Sequence, residues 1–257
     1  MPLPHYYSKL GPFLQLFLSG RPILTYHHVG RRARGARIKG LYVSRSLFAR
    51  QLAELEAAGF STPAYGSVIE TPQRPIIFLT FDDGFKDVFE NALPSMQAHQ
   101  FRGIQFLVSG LIGKTNEWQQ KAGDIIEPLM NEGQVRDWLD AGQQIGSHTQ
   151  THPRLTQLSA SAAREEINAS KKSLEDQFGV PIVHFCYPYG DWNERVRDLV
   201  IEAGYQTACT TVTGLNTRAE SPHLLKRFTA RYPSRSLKAL WSRLSQRRQD
   251  AGAPRGR

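Results

Sequence analysis

Pro75-Ile76-Ile77-Phe78-Leu79-Thr80-Phe81-Asp82-Asp83-Gly84 is the stretch on which the fold turns. Five of the six residues at 76–81 are apolar, the pattern of a buried strand. That strand runs straight into two adjacent carboxylates and a glycine. Two like charges side by side at the rim of a core are costly unless a cation or a proton offsets them. An ordinary Asp-Gly turn accounts for the same residues without any chemistry. The rest of the chain has to decide between a turn and a site.

Working outward, residues 23–27, 104–108, 143–147, 182–187, 205–210 and 224–229 read as six further strands. Helical spacing fills the intervals. Leu47, Phe48, Leu52, Leu55 and Ala58 predict a helix over 46–58, capped by Ser44 or Ser46. Residues 85–99 read as helical, bent or interrupted at Pro94. Residues 124–141 read as helix-rich and broken near Gly133. Residues 159–178 read as a surface helix, with Ser159 or Ser161 as cap and Gly179-Val180-Pro181 as stop. Another helix is expected over 194–203, and a last one after Ser234 or Ser236. Strands that alternate with helices call for an α/β fold with a parallel sheet. Periodicity alone leaves open whether seven strands close into a barrel.

A chain of 257 residues can bury a sizeable core. No linker, repeat or low-complexity block divides it. We therefore read one domain over 21–240, an apolar extension over 1–20, and a basic tail over 241–257 expected to be disordered. Two cysteines exclude a disulfide framework, and Cys186 and Cys209 read as buried thiols in strands. Leu10, Phe13, Leu14, Phe17 and Leu18 keep helical spacing near the N-terminus. The run is too short to span a membrane and lacks the basic flank and cleavage site of a secretory signal. Its apolar face suits packing on the protein's own surface or contact with a membrane surface. The expected location is the cytoplasm, with possible association with the inner membrane surface.

The formal charge of +9 is concentrated at 31–39 and 243–257. No nucleic-acid motif accompanies either run, so no nucleic-acid partner is expected. The charge reads as solvated, or as attraction to anionic lipid headgroups or to a phosphate-bearing substrate.

The position of the polar residues decides the matter left open above. His27, the Asp82-Asp83 pair, His148 and residues 187–190 each stand at the C-terminal end of a predicted strand. In α/β barrels that rim is where catalytic groups gather from different strands. In Ser147-His148-Thr149-Gln150-Thr151-His152-Pro153, two imidazoles stand four apart, a spacing that suits one metal ion. With one aspartate from the distant pair they make a two-histidine, one-carboxylate set that leaves a position open for water. A bound cation would also offset the charge of both aspartates.

At these motifs the sequence resembles the polysaccharide deacetylases, the NodB homology group of carbohydrate esterase family four. Thr80-Phe81-Asp82-Asp83-Gly84 matches the first motif of that family, the 147–153 stretch its second, and Tyr187-Pro188-Tyr189-Gly190 the core of its third. The resemblance implies a distorted seven-stranded (β/α) barrel. It implies Asp82 as general base, and Asp83, His148 and His152 as ligands of a divalent metal, usually zinc. It also implies that the backbone N–H of Tyr189 helps to hold an oxyanion.

Two features depart from the family pattern. Cys186 stands where the third motif begins with arginine. His223 is the only histidine after that motif, and it precedes its strand, which places it on the opposite rim. A branch resembling the poly-N-acetylglucosamine deacetylases has a permuted arrangement. There an N-terminal strand ending in Tyr-His supplies the acid, as Tyr26-His27 would here. The same branch carries a Leu-Pro-Arg-like stretch near the end, similar to Leu225-Lys226-Arg227. This resemblance implies His27 as general acid and Arg227 in place of the missing arginine beside Asp82.

The implied activity is metal-dependent removal of N-acetyl groups from an amino-sugar polysaccharide, oligosaccharide or lipid-linked saccharide. The alternatives are a carbohydrate-binding protein on an inactive deacetylase fold and a related amide hydrolase such as a deformylase. Trp118, Trp138 and Trp192 suit stacking on sugar rings and equally suit packing.

Overall fold

The computed structural model describes residues 4–66, 74–217 and 219–232. The helix expected after Ser234 or Ser236 and the basic tail lie outside these residues. In chain order the strands are β1 (Ile23–Tyr26), β2 (His28–Val29), β3 (Tyr42–Val43), β4 (Phe78–Phe81), β5 (Gly103–Leu107), β6 (Gln144–Ser147), β7 (His184–Cys186), β8 (Thr207–Cys209) and β9 (Phe228–Thr229). The α-helices are α1 (Leu14–Leu18), α2 (Arg45–Ala57), α3 (Lys86–Ala98), α4 (Glu132–Asp140), α5 (Ala160–Phe178) and α6 (Glu194–Glu202).

All seven predicted strands form, and all pair in parallel, in the order β8-β7-β6-β5-β4-β1-β9. The sheet curls into the distorted barrel expected from the motifs. Closure falls to the last segment. Leu225 bonds to β8 on both sides, donating to Ala208 O at 2.9 Å and accepting from Thr210 N at 2.9 Å. Three residues later Phe228 pairs with Leu24 of β1. One short segment thus passes from one sheet edge to the other and carries Arg227 between them.

The strands read as near-continuous apolar runs because both faces are covered. Leu24, Leu79, Phe81, Leu107, Ile145, Phe185 and Ala208 join the large cluster beneath the helices. Alternate residues, among them Ile23, Phe78, Ile104, Phe106, Cys186 and Cys209, form a separate inner cluster. Tyr65 closes that inner core. Its ring lies edge-on to Phe78, Phe106 and His184, and its hydroxyl lies 2.8 Å from the Cys209 sulfur.

Local chemistry sets the helix ends. Ser44 Oγ accepts from Leu47 N at the start of α2, and Ser159 Oγ from Ala162 N at the start of α5. Gly179 ends α5 in the left-handed conformation at φ 68°. Pro94 sits inside α3 without ending it. Glu90 and Pro94 are exposed, so water can take the carbonyl that the missing N–H leaves free.

One expected element differs. Only Glu132–Asp140 of the 124–141 segment is helical, started by an Asn131–Gln134 capping box. The residues before it run along other backbone. Leu129 N donates to Lys114 O, Met130 N to Gly84 O, and Pro128 O accepts from Lys86 N. Those bonds, and a proline without a donor, outweigh helical propensity there. The small β2–β3 pair, at the edges of the expected basic loop, was not anticipated.

The N-terminal extension packs on the barrel. The Phe13 and Phe17 rings lie 5.7 and 5.0 Å from that of Phe228, and Tyr7 bridges to Ala230. Leu10, Phe13 and Phe17 are therefore spent on the protein's own core while Leu18 is left exposed, and contact with a membrane surface finds no support in this packing. No helix among the described residues is long and apolar enough to cross a membrane.

Candidate active site

β4 delivers Asp82 and Asp83 to the C-terminal rim, where Asp82 N is still held by Tyr26 O of β1 at 3.0 Å. The chain then turns through left-handed backbone, with φ 77° at Asp83 and 84° at Gly84. A positive φ is uncommon for a residue with a side chain. Here it sends two neighbouring carboxylates to different partners, and both are buried.

Asp82 meets Arg227. The guanidinium donates from Nη1 to Oδ1 and from Nη2 to Oδ2, both at 2.7 Å, a two-pronged pairing. Arg227 is 2% exposed. Its remaining donors reach Thr80 Oγ1 at 3.0 Å, Thr210 O at 3.0 Å and Cys186 Sγ at 3.2 Å. An arginine from the 224–229 segment thus stands beside Asp82, and the small Cys186 leaves room for it. Burial pushes the Asp82 carboxyl up, but the charge and hydrogen bonds of Arg227 outweigh it and hold the group below the usual carboxylate range. His27 stands at the end of β1 with Nε2 3.9 Å from Asp82 Oδ2, its side chain 21% exposed. Burial lowers its pKa below the ordinary histidine value, and the two aspartates oppose that shift.

Asp83 meets the two histidines. His148 Nε2 and His152 Nε2 each lie 3.3 Å from Asp83 Oδ1. Burial raises the Asp83 carboxyl, but the two imidazoles facing it outweigh burial and hold it well below its usual value. The loop between the histidines is sharply folded, with Thr149 at φ 67° and His152 at φ 64°. Thr149 Oγ1 accepts from His152 N at 3.0 Å. Glu166 of α5 accepts from Gln150 N and Thr151 N at 2.9 Å and from Thr151 Oγ1 at 2.6 Å.

These donors fit a divalent metal. His148 Nδ1 lies 2.7 Å from Cys186 O, an acceptor, so Nδ1 carries the proton. In the neutral ring Nε2 is then a bare lone pair aimed at a carboxylate oxygen, an arrangement that calls for a cation between them. Zinc bonds of about 2.0–2.1 Å in a tetrahedral site set donors about 3.4 Å apart. Each imidazole Nε2 here lies 3.3 Å from the Asp83 oxygen. A second grouping, Asp82, His148 and Cys186, is also compact enough. Burial holds the Cys186 thiol well above its ordinary pKa, and a protonated thiol is a poor ligand.

Aromatic rings wall the site. Trp118 stacks on His152 with centroids 4.5 Å apart, and Tyr189 meets the same ring edge-on at 4.5 Å. Tyr189 is itself left-handed at φ 59°, 44% exposed, and covered by the Arg154 guanidinium at 4.3 Å. Trp138 is wholly buried and donates to Gln144 O, and Trp192 packs against the core. His223 bonds to Tyr205 O, at the start of β8 and away from the rim.

The polysaccharide deacetylase family profile matches residues 69–208. The chain belongs to this family. Among curated relatives, this deacetylase-family chain is 26% identical over 212 residues to the putative polysaccharide deacetylase YxkH of Bacillus subtilis, covering 80% of this chain and 70% of that one. It is 28% identical over 140 residues to the peptidoglycan-N-acetylglucosamine deacetylase PgdA of Listeria monocytogenes, 53% of this chain but 27% of that protein's length. Among solved structures, the Streptococcus pyogenes deacetylase PplD in complex with acetate superposes with a TM-score of 0.72 at 23% identity, covering 87% of this chain and 97% of that one. The shared fold is the NodB-type barrel described above.

Sequence reasoning missed Glu166. The signal was present: residue 166 lies three past Ala163 and four before Ser170, beside the buried stripe of α5. A carboxylate in that position has a reason to be there. The pairing of His28 with Asp87 and Glu127, each at 3.2 Å, was also missed. It joins β2 to α3 and to the segment after Trp118.

Proposed function

We propose that this deacetylase-family protein hydrolyses the N-acetyl group of an amino sugar within a saccharide, with acetate and a free amine as products. The observation that carries the reading is the division of the Asp82-Asp83 pair, one member held by Arg227 and the other by His148 and His152. A divalent cation, zinc by the donor set, held by Asp83, His148 and His152 would acidify a water and polarise the acetyl carbonyl.

The chain's own groups supply the proton transfers. Asp82, kept ionised by Arg227, accepts the water's proton as the oxygen attacks the acetyl carbon. The backbone N–H of Tyr189 donates to the tetrahedral oxyanion, an interaction whose loss typically costs on the order of a hundredfold. His27, in the protonated state that Asp82 and Asp83 favour against the effect of burial, donates to the sugar nitrogen as the C–N bond breaks, so that the amine leaves neutral. His27 and Asp82 stand close enough, at 3.9 Å, to serve one reacting amide. Trp118 and Tyr189 would wall the place where the sugar ring lies. The names of PgdA and YxkH support a saccharide substrate.

The test is acetate release from N-acetylglucosamine oligomers by protein stripped of metal, with and without added zinc. Metal-dependent acetate is expected. A metal-loaded protein that binds these oligomers yet releases no acetate would instead favour a carbohydrate-binding role.

A further inference from the structure

The basic run at 31–39 is untouched by the chemistry above. It leaves β2 four residues after His27, on the same rim as the catalytic groups. Its backbone is anchored on both sides. Gly30 N donates to Val43 O, and Ala36 N to Ala33 O within the loop. Ala36 is buried. The Asp124 carboxylate accepts from Arg37 N at 2.8 Å and Ile38 N at 3.1 Å. Asp124 N in turn bonds to Gln119 O, the residue after Trp118, whose ring stacks on His152. Three short links therefore tie the loop to the wall of the site.

Three cations on this loop stand uncompensated. Arg31, Arg32 and Arg34 are exposed and form no ion pair with a described residue. The Asp124 carboxylate, at the far end of the loop, is engaged by the backbone donors of Arg37, Ile38 and Ile125. Arg31, Arg32, Ala33 and Arg34 line an open hollow of ≈ 740 Å³. A merely solvated charge run needs no such fixed frame. Holding three like charges together raises the local potential and favours an anion carrying more than one charge.

We propose that this loop is an anion subsite beside the reaction centre, and that the amino-sugar substrate carries a phosphate or phosphodiester group that the loop receives. The proposal rests on the deacetylase reading above. It narrows the substrate class to phosphate-bearing saccharides, whether the phosphate is a free ester or links the sugar to a lipid. Guanidinium groups suit phosphate oxygens because their paired donors match the spacing of those oxygens. The tie to the Trp118 wall favours a phosphate on the substrate over one on a separate surface.

The test compares kcat/KM for metal-loaded parent protein and an Arg31→Gln/Arg32→Gln/Arg34→Gln variant. The substrates are neutral N-acetylchitotetraose and the same tetraose bearing a 1-phosphate. A third arm adds phosphatidylglycerol vesicles to the neutral sugar. The parent is expected to prefer the phosphorylated sugar by about tenfold at low salt, from three exposed charges each of modest strength. That preference should vanish in the variant and at high salt, while kcat/KM for the neutral sugar stays the same. Equal kcat/KM for both sugars in the parent overturns the subsite and leaves the deacetylase reading intact. Vesicle-stimulated turnover that the variant loses assigns the loop to a lipid surface and likewise overturns the proposal. Absence of acetate from both sugars overturns the deacetylase reading and this inference together.

Discussion

Replacing Arg227 with alanine removes a guanidinium from a carboxylate that it holds through two 2.7 Å bonds in a buried setting. Leaving one member of a buried pair without its partner costs about 3–5 kcal/mol. The chain can avoid part of that cost by protonating Asp82, since burial already pushes this carboxyl up and Arg227 is the strongest group opposing it. Whatever part of the penalty protonation relieves appears as a carboxyl that titrates at higher pH than in the parent protein. Asp82 must be ionised to accept a proton, so the acid limb of the kcat/KM profile should move to higher pH. The loss of activity should then be far greater at mildly acid pH than at mildly alkaline pH. The assay is acetate release across that range by metal-loaded protein, with folding checked by circular dichroism. An added Cys186→Arg change returns a guanidinium from β7, where Arg227 Nη2 already lies 3.2 Å from the sulfur. It should move the acid limb back. Arg227→Lys, which keeps the charge but loses one prong, serves if the alanine variant does not fold. A loss equal at every pH, unaffected by the second change, would show that Arg227 only supports the barrel.

Two further outcomes follow from the geometry. Glu166→Ala removes the acceptor that shapes the 149–152 loop, and should weaken metal binding by about 10- to 100-fold, as read by competition with a chelator; unchanged affinity would mean the loop holds its shape without it. His184 is buried at the base of the barrel, and burial lowers its pKa to about 4 from 6.5. Above pH 6.5 the ring is neutral in both folded and unfolded chains and adds no pH dependence. As pH falls from 6.5 toward 4, only the unfolded chain takes up the proton, so stability drops by roughly 3 kcal/mol in total. Denaturant unfolding of His184→Gln should show an acid sensitivity smaller by that amount; an identical decline in both proteins would refute the assignment.

Much of the architecture was legible because strands covered on both faces show as unbroken apolar runs, and because each run ends at a polar residue on one rim. Residues 124–131 were misread for a physical reason. Their backbone bonds go to Gly84, Lys86 and Lys114, partners that no local window contains. The Arg227–Asp82 pairing joins positions 145 apart. It was reached through a family resemblance, since a basic residue in a short edge strand has no periodicity to mark it. Glu166 could have been found locally, from its phase on α5. The 3.3 Å convergence of Asp83, His148 and His152 depends on left-handed backbone at Asp83 and His152, which residue spacing suggests but does not specify.

The central claim is that adjacent aspartates do different work, Asp82 moving the proton and Asp83 holding the metal. The direct measurement is bound zinc and acetate release, taken side by side on Asp82→Asn and Asp83→Asn. The account predicts that Asp82→Asn keeps stoichiometric metal and loses turnover, while Asp83→Asn loses both. Metal lost from Asp82→Asn but kept by Asp83→Asn, or turnover surviving in Asp82→Asn, would contradict it.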